Sequence, residues 1–328
     1  MATKIGVLIP VPQRDSLFTP EDQIRLASLG EVHWNESAVQ ISINEACEFL
    51  ADCEIGVGSW GTASPNAQLM NACPNLRLWE HVAGTVKRMF GPHLDGRDIT
   101  IATCAPAIAE NVAEMVIGEL IIGLKRVLEN AASNRCDGGG KPTNSRTLGN
   151  STIGVIGASS VGRHLMRMLR PFGANVLLYD PFVTPADAAL LGVQLRGNVT
   201  ELCAECHAVT LHTPALPETE HMLGSNEFQA MQDDTVFINT SRGNCIDENA
   251  LIVELEKGRL FAFLDVTDPE PAAPDSPLRW LPNVVYTLHI AGGPDAKLGR
   301  QAVDDIAAFL RGEEPLMAVR ADMLARLA

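Results

Sequence analysis

Three stretches of this 328-residue chain place polar side chains directly after apolar runs: Ile238-Asn239-Thr240-Ser241-Arg242-Gly243, Leu264-Asp265-Val266-Thr267-Asp268-Pro269-Glu270-Pro271 and Thr287-Leu288-His289-Ile290-Ala291-Gly292-Gly293. A short apolar run bounded by turn residues reads as a buried strand, and open parallel sheets take their ligands beyond the carboxyl ends of their strands. The residue types suit an anion and a moving proton. Arginine offers a permanently charged planar fork, histidine exchanges a proton near neutral pH, and a carboxylate can hold an imidazole in one orientation. Singly, Arg242 is equally well a surface ion pair, Glu270 a loop charge and His289 a core histidine. Their joint arrival at strand ends makes them candidates for one site.

Upstream, Thr152-Ile153-Gly154-Val155-Ile156-Gly157-Ala158-Ser159-Ser160-Val161-Gly162-Arg163 reads as strand, tight turn and helix start. Gly157 suits the turn and Gly162 close helix packing, while free amides at the helix start suit a pyrophosphate. Ser159 stands where the usual G-x-G-x-x-G has its middle glycine, and alone the motif is equally a plain strand-to-helix turn. The next apolar run, Val176-Leu177-Leu178-Tyr179, ends in Asp180, where an acid would bind the adenine ribose and repel a 2′-phosphate. This predicts NAD as the cofactor. The competing reading of Asp180 is a turn residue before Pro181.

The elements that must carry these groups alternate strand and helix. Apolar runs at Ile5 to Ile9, Ile55 to Gly58, Leu76 to Trp79 and Ile99 to Ala102 predict a first α/β series. Helical spacing from about Ala107 to Asn130 predicts one long helix, and the Gly/Ser/Asn-rich stretch from Ser133 to Asn150 a loop. Ser151 to Ile156 opens a second series, with strands at Val176 to Tyr179, Ala208 to Leu211, Val236 to Asn239, Ala262 to Val266 and Val284 to Leu288. Such alternation implies a doubly wound parallel sheet.

With Leu211-His212-Thr213-Pro214-Ala215-Leu216-Pro217-Glu218-Thr219, the three strand ends resemble the D-isomer-specific 2-hydroxyacid dehydrogenases over nearly the whole chain. The resemblance implies reduction of a small 2-keto acid to a 2-hydroxy acid with NAD(H), or the reverse. It makes Arg242 the residue that bridges substrate carboxylate and keto oxygen, His289 the proton donor and Glu270 the group that orients it. It places Gly157, Ser159, Ser160, Val161, Gly162 and Asp180 on the dinucleotide, with His212, Thr213 and Pro214 lining its groove. Thr240, Ser241, Asp265 and Gly292 fall toward the nicotinamide end. Val82-Ala83-Gly84 resembles the loop whose amides hold the substrate carboxylate, although an ordinary glycine turn reads the same.

The same resemblance implies a Rossmann-type nucleotide domain, residues 105–294, inserted into a smaller flavodoxin-like α/β substrate domain of residues 1–104 and 295–328. It further implies a cleft that closes on ligand, a homodimer through the helix from Ala107, and a phosphoglycerate dehydrogenase-like short form with no regulatory domain. The G-A-S-x-V-G form of the turn and Leu288, where a proline usually precedes the histidine, point to a divergent branch, and Ile108, where phosphoglycerate enzymes tend to be polar, argues against phosphoglycerate as the substrate. Glyoxylate, hydroxypyruvate and bulkier keto acids stay open. So do an NAD-sensing corepressor-type protein and formate or phosphite oxidation on the same scaffold.

Composition sets the outer bounds. With 25 basic and 40 acidic residues the formal charge is −15, which disfavours nucleic acid or an anionic membrane as partner. The apolar run from Val112 to Leu124 carries Glu114 and Glu119, so no membrane span is expected, and the N-terminal run reads as a strand rather than a leader. A cytoplasmic location follows. Cys203-Ala204-Glu205-Cys206-His207 has no second pair to complete a metal site, so buried structural thiols and no metal are expected.

Overall fold

In the computed structural model, which describes residues 2–136 and 144–326, the apolar runs become the strands of two sheets. The strands are Lys4–Val7 (β1), Glu31–Trp34 (β2), Ile55–Gly58 (β3), Leu78–His81 (β4), Thr100–Thr103 (β5), Thr152–Ile156 (β6), Asn175–Tyr179 (β7), Gln194–Leu195 (β8), Ala208–Leu211 (β9), Val236–Asn239 (β10), Phe261–Leu264 (β11), Val284–Tyr286 (β12) and Ala318–Val319 (β13). The chain divides into two units, Met1–Ile108 with Gly293–Leu327, and Ala109–Gly292.

The first unit carries a sheet in the order β13-β5-β4-β3-β1-β2, parallel except for β13 on β5. Its five parallel strands run 2-1-3-4-5, the flavodoxin-like order. Strand β3 is buried throughout, as a strand covered on both faces must be. The helix Ala296–Leu310, capped by Asp295 Oδ1 on Lys297 N at 2.8 Å, returns to this unit and buries Leu298, Ala302, Val303 and Ile306 in its core. It stops at Leu310, and β13 follows it.

The second unit carries an all-parallel sheet in the order β12-β11-β10-β9-β6-β7-β8. Strand β6 sits in the middle with β7 on one side and β9 on the other, so the order reverses there and a crevice opens beyond its carboxyl end. Ile156, Leu177, Val209, Leu211, Phe237 and Leu264 form the core beneath. Burial of side chains of this size is worth roughly 1.5–3 kcal/mol each, far more than any exposed ion pair, and it fixes the register of the strand ends.

The expected long helix is two: Ala105–Leu124 and Val127–Cys136. Arg126 breaks it, with φ at 56°, its guanidinium carbon 3.8 Å from the Phe261 ring centroid and Nη2 donating to the Asp234 carbonyl at 2.7 Å. A buried arginine held by partners distant in sequence outweighs local helical periodicity. Helix also replaces the start of the expected loop, running through Cys136; residues 137–143 of that stretch lie outside the described residues.

Candidate active site

Strand β10 ends in Asn239, whose fully buried side chain closes the turn that presents Arg242. Its Oδ1 accepts from Ser241 N at 3.0 Å and its Nδ2 donates to the Arg242 carbonyl at 3.1 Å. Ser241 Oγ accepts from Arg242 N at 2.6 Å, and Arg242 Nη1 donates to the Ser241 carbonyl at 2.6 Å. The half-buried Arg242 pairs with no carboxylate among the described residues, unlike Arg126, Arg196 and Arg259. A guanidinium held in place without a counter-charge is an anion site in waiting. Sequence reading passed over Asn239, although its position at a strand end was the signal.

Gly243 brings the second motif close, because a Cβ there would overlap the Thr267 carbonyl. The loop beyond β11 is tied by Thr267 Oγ1 to the Pro269 carbonyl at 2.9 Å and by Asp268 N to Glu248 Oε1 at 2.7 Å. Glu270 then lies with Oε1 2.8 Å from His289 Nδ1. Since an ionised carboxylate only accepts, Nδ1 carries the hydrogen of this bond, and Nε2 is the nitrogen left for a ligand. Glu270 and His289 keep 35% and 49% of their side-chain exposure, so a ligand can reach them.

The nucleotide turn follows β6. Gly157 has φ at 98°, and a Cβ there would come within 2.8 Å of the His212 carbonyl, so the first turn of the crevice requires glycine. Gly162 is needed for the approach of the helix Ser160–Leu169 to the Gly157 carbonyl. Ser159 caps that helix, accepting from Gly162 N at 3.4 Å, rather than acting as a bare small residue. The amides of Ser160 and Val161 begin the helix and have no acceptor within it. Asp180, at the end of β7, accepts from Ala158 N at 2.7 Å and Phe182 N at 2.8 Å, which holds its half-exposed carboxylate beside the turn. Thr240 Oγ1 is buried without a hydrogen-bond partner at the end of β10. A glycine turn, open helix amides, an anchored acid and an orphaned hydroxyl at one end of one sheet fit a dinucleotide.

Other expected contacts stand differently. His212 is 3% exposed, its Nε2 lies 2.9 Å from Thr210 Oγ1, and burial pushes its pKa down to about 3, so its neutral ring belongs to the core. Thr213 and Pro214 are half-buried beside it. Asp265 is 1% exposed and its carboxylate already accepts hydrogen bonds from the loop that bears His289. Gly292 ends the second unit, half-buried.

In the first unit, Val82 N donates to the Gly58 carbonyl at 2.8 Å and Ala83 N to the His81 carbonyl at 2.7 Å. Their side chains are fully buried, and of the three residues only Gly84 is not. A Cβ at Gly84 would make only ordinary contact with Ile108, so the loop does not depend on glycine. Cys203 and Cys206 are buried and free, their thiols pushed up by desolvation, Cys206 to about 12. Among the described residues no His, Cys, Asp or Glu cluster could hold a metal ion, and no helix is long and apolar enough to cross a membrane.

A profile described as D-isomer specific 2-hydroxyacid dehydrogenase, NAD binding domain, matches residues 119–291. The chain belongs to this family. Its second unit holds the family's NAD-binding Rossmann domain, and NAD is its cofactor. Glyoxylate reductase of Korarchaeum cryptofilum is 30% identical over 282 residues, covering 82% of this chain and 83% of that one. D-3-phosphoglycerate dehydrogenase of Methanocaldococcus jannaschii is 29% identical over 299 residues, 89% of this chain and 56% of that one. The chain spans about half the length of the phosphoglycerate dehydrogenases it matches. Among solved structures, D-lactate dehydrogenase with NAD+ from Lactobacillus jensenii shares the fold, with a TM-score of 0.79 at 21% identity over 97% of this chain and all of that one.

Proposed function

We propose that this family member reduces a small 2-keto acid to the D-2-hydroxy acid with NADH, and can run the reverse reaction. The observation that carries the reading is the pairing of His289 with Glu270 at 2.8 Å, together with an Arg242 that has no carboxylate partner among the described residues. Bound NADH supplies the hydride. Arg242 holds the substrate carboxylate with one arm of its fork and polarises the keto oxygen with another, stabilising the charge that grows there. His289, with Nδ1 held by Glu270, gives a proton from Nε2 to that oxygen, and takes it back in oxidation.

The dinucleotide would lie against Gly157, Ser160 and Val161, with Asp180 at the adenine ribose and Thr240 and Ser241 toward the nicotinamide. We also propose a homodimer through the helix Ala105–Leu124 and its continuation, where Ile121, Val127 and Leu128 are exposed. Light scattering tests the dimer. The activity is tested by NADH oxidation across glyoxylate, hydroxypyruvate, pyruvate and branched or aromatic 2-keto acids, with chiral analysis of the product. Turnover of one of them to the D-isomer is expected; NADH binding without turnover of any would point to a nucleotide-sensing protein.

A further inference from the structure

His289 has φ at 53°, in the left-handed region that residues with a side chain rarely adopt. Such a conformation persists only where the surroundings impose it. Packing does not impose it here: the neighbours Leu288 and Ile290 are 56% and 57% exposed. What grips the segment is one buried residue at the end of β11. Asp265 Oδ1 accepts from Thr287 Oγ1 at 2.7 Å and from Ile290 N at 2.8 Å, and Oδ2 accepts from Ala291 N at 2.9 Å. The Asp265 carbonyl accepts from His289 N at 2.8 Å. These bonds bracket His289 on both sides.

We propose that Asp265 is a positioning residue for His289, holding residues 287–291 in the bend that turns the imidazole onto Glu270. This rests on the reading of His289 as the proton donor. The carboxylate, buried to 1% exposure, makes charge-assisted bonds to the loop in a low-dielectric setting, where they are strongest. Asp265 N is itself fixed on the Asn239 carbonyl at 3.0 Å, so the turn that carries Arg242 and the loop that carries His289 are referred to adjacent strand ends. The charge of Asp265 also acts on Glu119, on the helix Ala105–Leu124, whose carboxyl is buried and unpartnered at Oε2. A carboxylate has further acceptor sites, so a contact from the nicotinamide end is compatible with this role but is not its content.

The test is Asp265→Asn, which keeps the shape and sets an NH2 group against the loop donors. The 15N spectrum of labelled histidine reads the loop without turnover: the His289 Nδ1–H signal, assigned with His289→Gln and Glu270→Gln, should be present in the parent protein and lost or shifted in Asp265→Asn. NADH affinity by fluorescence titration should change less than about threefold, while kcat at saturating NADH falls by roughly 10²-fold, the scale of a misplaced catalytic group. Thr287→Val removes a single bond and should move the spectrum and kcat the same way by less, which serves if Asp265→Asn fails to fold. An unchanged His289 signal and kcat with weakened NADH binding would make Asp265 a cofactor contact and overturn the proposal. If no keto acid is turned over, the spectrum still decides the positioning, and only the catalytic reading fails.

Discussion

Glu270 Oε1 and His289 Nδ1, from residues 19 apart in sequence, lie 2.8 Å from each other and bridge the loops that leave the neighbouring strands β11 and β12. The bond fixes which imidazole nitrogen faces a ligand. His289→Ala should lower kcat by about 10²–10⁴-fold while NADH affinity holds, since other groups bind the dinucleotide. Glu270→Gln should lower kcat by less, because its amide oxygen can still accept from Nδ1. Steady-state kinetics beside fluorescence titration checks both, and full turnover by His289→Ala would remove it from the mechanism.

Arg242→Lys keeps the charge and loses the fork. KM for the keto acid should rise and kcat fall together, giving a loss in kcat/KM of roughly thirty-fold or more, with NADH binding little changed. Kinetics indistinguishable from the parent protein would reduce Arg242 to a structural cation.

Asp180 is held by Ala158 N and Phe182 N with its carboxylate half-exposed. NADH should therefore be preferred to NADPH, and Asp180→Ser should narrow the preference by removing the charge that repels a 2′-phosphate. Equal kcat/KM for the two cofactors in the unmodified protein would count against this.

Gly243→Ala places a methyl group on the Thr267 carbonyl, which is backbone and cannot rotate away. Either the Arg242 turn or the Glu270 loop must shift. A loss of roughly 1–3 kcal/mol in stability is expected, accompanied by a fall in kcat/KM. Denaturant unfolding and kinetics would show it, and an unperturbed variant would mean the two loops pack less closely than described.

Burial, with the charge of Asp265 adding to it, raises the pKa of Glu119 from 4.5 to about 8. In the unfolded chain the group loses its proton near 4.5; in the folded chain it keeps it to about 8. Between those values the folded state binds more protons, so this group makes stability fall as pH rises from about 4.5 to 8. Glu119→Gln removes that dependence, and its gain in Tm over the parent should grow from about pH 5 to about pH 8 and then level off. Calorimetry across that range checks it; a gain that is the same at both ends would contradict the assignment.

How much of this was legible in advance follows from the range of the interactions involved. Parallel strands covered on both faces announce themselves as apolar runs, and the residues that end them follow immediately, so β6, β7, β9 and β10, the Gly157 turn, Asp180, Arg242, Glu270 and His289 could all be placed from the sequence. The edge strands β8 and β13, each two residues long, leave no such run. What the sequence could not settle was which polar groups are left free. Val82 and Ala83 lose their amides to the carbonyls of Gly58 and His81, and His212 turns into the core. Arg126 breaks a helix to reach Phe261 and Asp234, and Asp265 meets donors more than twenty residues away. Periodicity and turn chemistry are local and readable along the chain, whereas hydrogen-bond partnership is competitive, and the winner among possible partners is decided only when distant segments are brought within 3 Å by the packing of the sheets.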